Sequence, residues 1–290
     1  MTVRVCHPKY RTSSSMPDTL QFRTTHFSLK DRFTSFVSEK FFGSLTYTVR
    51  HGIIKGMKRK GGLGFLPSFL ARSPENEPEL TFLRNLDLEG KVVYDIGAFQ
   101  GVMTLYFARH AKAVISYEPV PANYRRVVEN VELNGLRHVV VLNRAVGNQK
   151  GTLRLAIDPR MPGAATGDPG TSAQIAASVP DAATAEVPMA LLDEDIAQNA
   201  LPLPDFIKMD IEGMELPALE GMSRTLAARH PLLYLEMHGP TEEEKEQRAA
   251  EVIQFLLAIG YHSILHIESG TQINAANAPV ARSGHIFCKP

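Results

Sequence analysis

Lys91-Val92-Val93-Tyr94-Asp95-Ile96-Gly97-Ala98-Phe99-Gln100-Gly101, followed by Ile115-Ser116-Tyr117-Glu118-Pro119, decides the fold. An apolar run enters a glycine turn and a helix, and a second short run ends in a carboxylate. A parallel sheet holds a nucleoside in this way. The glycines let backbone approach the ligand, and the carboxylate accepts from the two ribose hydroxyls. A dinucleotide site of this kind requires G-x-G-x-x-G, so that amides and a helix N-terminus face a pyrophosphate. Here the first of those glycines is replaced by Asp95, and the run reads D-x-G-x-x-x-G. A carboxylate there opposes a diphosphate and suits a ligand with a cationic end. S-adenosylmethionine (SAM) carries an ammonium, a sulfonium and a ribose, and no phosphate. On this reading Asp95 orients the ammonium end, directly or through water, and Gly97, Ala98, Phe99 and Gly101 form the cofactor-binding turn beside it. Glu118, stopped and aimed by Pro119, takes the ribose.

Outward from this stretch, the chain alternates strand and helix. Strands are expected at Val92–Ile96, Ala113–Tyr117, Val139–Leu142, Gly151–Ile157, Asp205–Met209 and Leu232–Met237. Helices are expected at Val102–Ala111, Ala122–Leu133, Leu191–Asn199, Glu215–His230 and Thr241–Ile259, the last opened by a threonine cap and a run of glutamates. Tyr261–Ile267 and His285–Cys288 finish as an antiparallel pair at the sheet edge. Repeated strand–helix units mean an α/β fold with a parallel sheet and helices on both faces, and ligands then bind beyond the carboxyl ends of the strands. Residues 158–185 are rich in Pro, Gly, Ala, Ser and Thr without periodicity, and read as a long loop or lid. Residues 1–25 read as disorder. Residues 26–60 place apolar side chains at helical spacing, so residues 1–78 form a basic, partly helical extension before the domain at 79–290.

The 290 residues are 44% hydrophobic, enough for one large core. Net charge is zero, yet residues 1–60 carry twelve Lys/Arg against three Asp/Glu, and the remainder carries nineteen against twenty-eight. No basic stripe interleaved with aromatics lies within the folded part, so nucleic acid is not expected as a partner. No apolar run reaches the ~18 residues that a membrane span requires. The first thirty residues lack a hydrophobic core of the secretory type. Cys6 and Cys288 lie far apart without a C-x-x-C, which fits a reducing, cytoplasmic setting. Pairing into a homodimer is left open.

Two further clusters fall at strand ends. Asp210, Glu212 and Glu215 follow the strand ending at Met209, while Lys208 is expected to alternate to the other face. Asp210 is placed near a transferred methyl and Glu212 near the substrate, with Glu215 serving only the helix dipole. Glu236 and His238 alternate, so both point to one side. A histidine beside a carboxylate can serve as a general base, with Glu236 or Asp210 aligning the ring. Asp210, Glu236 and His238 could also hold a divalent cation, a secondary reading that no spacing rule fixes.

Taken in order, these motifs resemble the FkbM-type family of SAM-dependent methyltransferases. The likeness runs from about Glu79 to His238. It rests on Val93-Tyr94-Asp95-Ile96-Gly97-Ala98, Tyr117-Glu118-Pro119, Asn130-Val131-Glu132-Leu133-Asn134-Gly135 and Ala145-Val146-Gly147. The more specific parts are Lys208-Met209-Asp210-Ile211-Glu212-Gly213-Met214-Glu215 and Leu235-Glu236-Met237-His238-Gly239. The resemblance implies a Rossmann-like, seven-stranded SAM-binding fold and methyl transfer to oxygen of a sugar, natural product or other small molecule. It also implies that Gly97 lies against the methionine part, Glu118 on the ribose, and the Asn143–Ala145 turn near adenine. The rival readings are a nicotinamide-dependent oxidoreductase, disfavoured by Asp95, and a non-catalytic partner protein of the same fold.

Overall fold

The computed structural model describes residues 45–61, 78–157, 165–178 and 183–290. The expected disorder at 1–25 and helices at 26–44 lie outside those residues. At 45–60 the structure departs from the expected helix. Strands β1 (Thr46–Thr48) and β2 (Lys58–Lys60) pair antiparallel as a hairpin. Its apolar residues sit there not on a helical stripe but in the turn region: Val49, Ile54 and Met57 are buried with the main core.

The central sheet follows the expected alternation. After α1 (Pro78–Arg84) come β3 (Val92–Ile96), α2 (Val102–His110), β4 (Ala113–Tyr117), α3 (Pro121–Glu132) and β5 (Val139–Leu142). Further along come α5 (Leu192–Gln198), β10 (Phe206–Met209), α6 (Glu215–Glu220), α7 (Ser223–Arg229), β11 (Leu232–Met237) and α8 (Glu242–Ala258). Strands β12 (Ser263–His266), β13 (Thr271–Ile273) and β14 (Gly284–Lys289) close the chain. The order across the sheet is β13-β12-β14-β11-β10-β3-β4-β5. Strands β5, β4, β3, β10 and β11 run parallel, and β14 pairs antiparallel between β11 and β12. Seven strands are those expected, and the three-residue β13 adds an eighth at the edge.

All five residues of β3 are buried, which is why all but Asp95 are apolar or aromatic. Tyr94 and Ile96 pack with α5 to α8 on one face; Val93 packs with α1, α2 and the β1–β2 hairpin on the other. Among the described residues no helix is long and apolar enough to cross a membrane.

Two expectations need correction. Of the segment expected as a long loop or lid at 158–185, the described residues 165–178 and 183–185 carry regular secondary structure. Strands β6 (Ala145–Val146), β7 (Gly151–Ile157), β8 (Ala165–Thr166) and β9 (Ala183–Ala190) form a second sheet of order β6-β9-β7-β8, with α4 (Pro169–Ser178) between β8 and β9. Ladder hydrogen bonds between β7 and β9, in register from Gly151↔Met189 to Ile157↔Ala183, order a sequence whose small residues carry little pattern. The expected single helix at 215–230 is interrupted between Glu220 and Ser223, and at Gly221 the backbone passes so close to Gly147 that a Cβ would lie 1.9 Å from its carbonyl oxygen. The helix can pass this point only at a glycine.

Candidate active site

A cleft opens at the carboxyl ends of β3, β4 and β10, where the topology places ligands. Its open volume, solvent at the mouth included, is about 680 Å³. Gly97, Phe99, Glu118, Pro119, Ala145, Asp210 and Glu212 line it. Leu153, Leu155, Ala165 and Gly167 of the second sheet, with Met214, complete an apolar wall that sequence reasoning did not find. That wall comes from the inserted sheet, whose pairing has no short-range signature.

Asp95, Ala98, Gly101 and Asn143 do not face this cleft. Asp95 is fully buried on the α2 side, where its Oδ2 accepts from Thr104 Oγ1 at 2.6 Å and its Oδ1 lies 3.6 Å from Lys208 Nζ. Lys208 is not on a separate face. It sits two residues before Asp210 and opposite Asp95 in the ladder, so all three share one side. Its ammonium donates to the Gly97 carbonyl at 2.7 Å and lies 3.4 Å from Asp210 Oδ2. The lysine thereby ties the glycine turn to the end of β10. Gly101 opens α2 in the left-handed region, and Ala98 is buried behind the turn. Asn143 donates to the carbonyls of Glu118 and Pro119 at 2.7 and 2.9 Å, and so shapes the end of β4.

Glu118 is 4% exposed and its Oε1 accepts from the Val120 amide. That bond holds the carboxylate at the cleft edge. Below it, Tyr117 donates to Asp195 Oδ2 at 3.0 Å, and Asp195 also pairs with Arg144, a lining residue. Burial, then the charge of Asp195, pushes the Tyr117 phenol up, so it stays a neutral donor. Phe99 and Glu212 both line the cleft with left-handed backbones, φ 53° each. Non-glycine residues rarely hold that conformation, and it concentrates at ligand sites.

Behind Asp210 and Glu212 lies a charged centre built on His238. Its Nδ1 is 3.0 Å from Glu215 Oε1. Its Nε2 faces Glu236 Oε1 at 3.4 Å, Glu212 Oε2 at 3.7 Å and Asp210 Oδ1 at 3.8 Å. The expected aligners Glu236 and Asp210 lie on the Nε2 side; the ring is aligned instead by Glu215, which the dipole reading undervalued. Burial works to discharge His238, but the charges of Glu212 and Glu236 and the hydrogen bonds of Glu215 and Glu236 outweigh it. The ring therefore holds its proton well above the usual histidine range. Beyond it, His285 pairs with Glu268 at 2.6 Å and lies 3.6 Å from Glu236 Oε2 and 3.5 Å from Glu79. No motif pointed to His285, because it reaches the centre only through the insertion of β14 beside β11.

A family model described as the methyltransferase FkbM domain matches residues 95–263, more than half of the chain. The chain belongs to the FkbM methyltransferase family. The FkbM stretch contains Glu118, Asp210, Glu212, Glu215, Glu236 and His238 and stops short of His285. A protein of Beauveria bassiana (strain ARSEF 2860) named Methyltransferase 1 is 25% identical over 143 residues, 45% of this chain and 57% of its own length. Among solved structures, an FkbM methyltransferase from Methylobacillus flagellatus aligns with TM-score 0.45 and 19% identity, over 74% of this chain and 50% of that one. A Streptococcus mutans methyltransferase in complex with SAH aligns with TM-score 0.43 and 11% identity, over 75% of this chain and 99% of that one. The chain thus spans about half the length of the curated relative and of the FkbM structure that it matches.

Proposed function

We propose that this FkbM domain transfers the methyl group of SAM to a hydroxyl oxygen of a small-molecule or carbohydrate acceptor. The observation that carries this reading is the line of carboxylates along one cleft. Glu118 stands at the ribose end and Asp210 and Glu212 at the other, leading directly to His238. Such a cleft suits a cationic, phosphate-free nucleoside. Apolar side chains between the acids, among them Ile96, Val146 and Leu155, suit an adenine and a thioether chain.

SAM supplies an activated methyl: the carbon leaves sulfur, which keeps the bonding pair, and an acceptor oxygen lone pair makes the new bond. The residues of the chain must therefore position, exclude water and dispose of one proton. Lys208 fixes the turn at Gly97 relative to Asp210, setting the two sides of the cleft at a defined separation. The hydroxyl proton passes to the acidic centre at His238. The resting imidazole is already protonated, so positive charge arriving beside Asp210 and Glu212 first releases that proton to solvent through the cleft, and the freed ring nitrogen then takes the hydroxyl proton.

The test is a methyl-transfer assay with labelled SAM against a panel of sugars, polyols and phenols, with products read by NMR. An O-methyl ether is expected. Methyl on nitrogen or carbon, or label transfer to none of the panel with SAM bound, would overturn the oxygen assignment.

A further inference from the structure

We propose that Asp210, Glu236 and His238 form a binding site for a divalent cation of the Mn²⁺/Mg²⁺ class at the acceptor end of the cleft. Three side-chain atoms from the ends of neighbouring strands β10 and β11, one from each residue, lie within 4.8 Å of one another. Two ligands about 2.1–2.3 Å from a shared ion, at angles of 90–110°, lie roughly 3.0–3.8 Å apart. His238 Nε2 is 3.4 Å from Glu236 Oε1 and 3.8 Å from Asp210 Oδ1, which is that spacing.

The orientation of each group is set from behind. Glu215 is 2% exposed, and its Oε1 also accepts from the Gly213 amide at 3.0 Å. An ionised carboxylate only accepts, so the Nδ1 proton of His238 is directed to it. Nε2, wholly buried, then faces the carboxylates, and a bound ion takes the place of its proton. A histidine held at one nitrogen by a carboxylate and open at the other is the usual arrangement of a metal-bound ring. The two carboxylates are arranged alike. Lys208 lies 3.4 Å from Asp210 Oδ2, and His285 lies 3.6 Å from Glu236 Oε2. Each acid thus has a cation beside one oxygen and turns the other to Nε2. Two carboxylate oxygens and one imidazole favour Mn²⁺, Mg²⁺ or Fe²⁺ over the thiolate-seeking metals. Glu212, with Oε2 3.7 Å from Nε2, stands where a further ligand would come from the cleft.

The consequence for chemistry rests on the methyl-transfer reading above; the binding does not. A hydroxyl coordinated to the ion loses its proton more readily. His238 would then act as a ligand, and the proton would leave towards solvent past Glu212.

The test uses the full chain, stripped with EDTA and desalted. MnCl₂ is titrated while the free Mn²⁺ signal is followed by electron paramagnetic resonance, with MgCl₂ as a competitor. One Mn²⁺ per chain is expected, with affinity reduced at least about tenfold in both Asp210→Asn and Glu236→Gln. Thermal melts select variants that remain folded, and His238→Gln provides a third. Absence of binding at about 1 mM Mn²⁺ by the wild type, or binding unchanged in the folded variants, would overturn the site. Methyl transfer is measured in parallel. Mn²⁺ bound without any transfer upholds the site and counts against the function; transfer that is unaffected by EDTA breaks the link between the two.

Discussion

Replacing Gly97 by Ala should damage this protein far more than the same change at another left-handed glycine. Gly97 sits at φ +78°, and an added Cβ would lie 1.6 Å from the Asp210 carbonyl oxygen and 2.7 Å from Ile211 Cγ2. Real Cβ atoms essentially never approach within 3.0 Å, so the backbone at the end of β10 must retreat by more than an ångström. That end is anchored by buried Met209 and by the Lys208 bond to the Gly97 carbonyl. The left-handed backbone costs an alanine about 1–2 kcal/mol, and overpacking adds about 1–3 kcal/mol or more. The sum is about 2–5 kcal/mol, a fall in Tm of roughly 10 °C for a domain of this size. Gly90 is the control, at φ +71° with nothing within 4 Å of its added Cβ. Gly90→Ala should lose only about 1–2 kcal/mol, roughly 3 °C. Melting followed by circular dichroism compares the two, and calorimetry with SAM follows binding. Equal shifts in Tm, or a Gly97→Ala protein that binds SAM as the wild type does, would refute the close approach of the glycine turn to β10.

Other consequences can be measured independently. His238→Ala should lower kcat by about 10²–10⁴ while leaving SAM affinity within about twofold, since the centre handles the acceptor proton and not the cofactor; unchanged turnover would remove it from the chemistry. Stability should fall on the alkaline side. Burial alone would lower the His285 pKa, but its bonds with Glu236 and Glu268 and the charge of Glu79 push it up to about 10. A raised pKa stabilises the fold fully below the unfolded value near 6.5, and that contribution is lost as pH rises through about 10; the shift corresponds to about 4–5 kcal/mol. Urea unfolding of wild type and His285→Gln from pH 6 to 10.5 should therefore converge as the pH rises, and a constant difference would contradict this. Gly221→Ala has no left-handed backbone to strain, yet its Cβ would meet the Gly147 carbonyl at 1.9 Å. It should cost about 2–4 kcal/mol through overlap alone, read as a drop in the urea midpoint.

The parallel core was legible because burial on both faces leaves β3, β4 and β10 with mostly apolar runs, and β4 and β10 are each followed by a carboxylate at the cleft. Glu118, Asp210 and Glu212 could be placed from that rule alone. The second sheet was not legible: the residues of α4 and β9 are small and unpatterned, and β9 is held by pairing with a strand some thirty residues earlier. The β1–β2 hairpin was missed because the helical spacing read over 26–60 rests on apolar residues from Phe27 to Leu45, which precede its strands. Lys208 was assigned to the wrong face although residues two apart in a strand share one, and Glu215 was reduced to a dipole effect because its partner, His238, is 23 residues away. His285 became a neighbour of Glu236 only through the antiparallel register of β14 against β11. Asp95 was expected to orient the ligand's ammonium end, directly or through water. Its alternation with Tyr94 turns it into the α2 face, where it meets Lys208.

The most direct measurement is isothermal calorimetry of SAM binding to the wild-type chain and to Glu118→Gln, with NADH as a competitor. The carboxylate at the cleft edge should account for two charge-assisted hydrogen bonds, so its loss should weaken SAM by about tenfold or more, and NADH should displace none of it. Equal SAM affinity in both proteins, or displacement by NADH, would show that the acids along the cleft do not select the ligand.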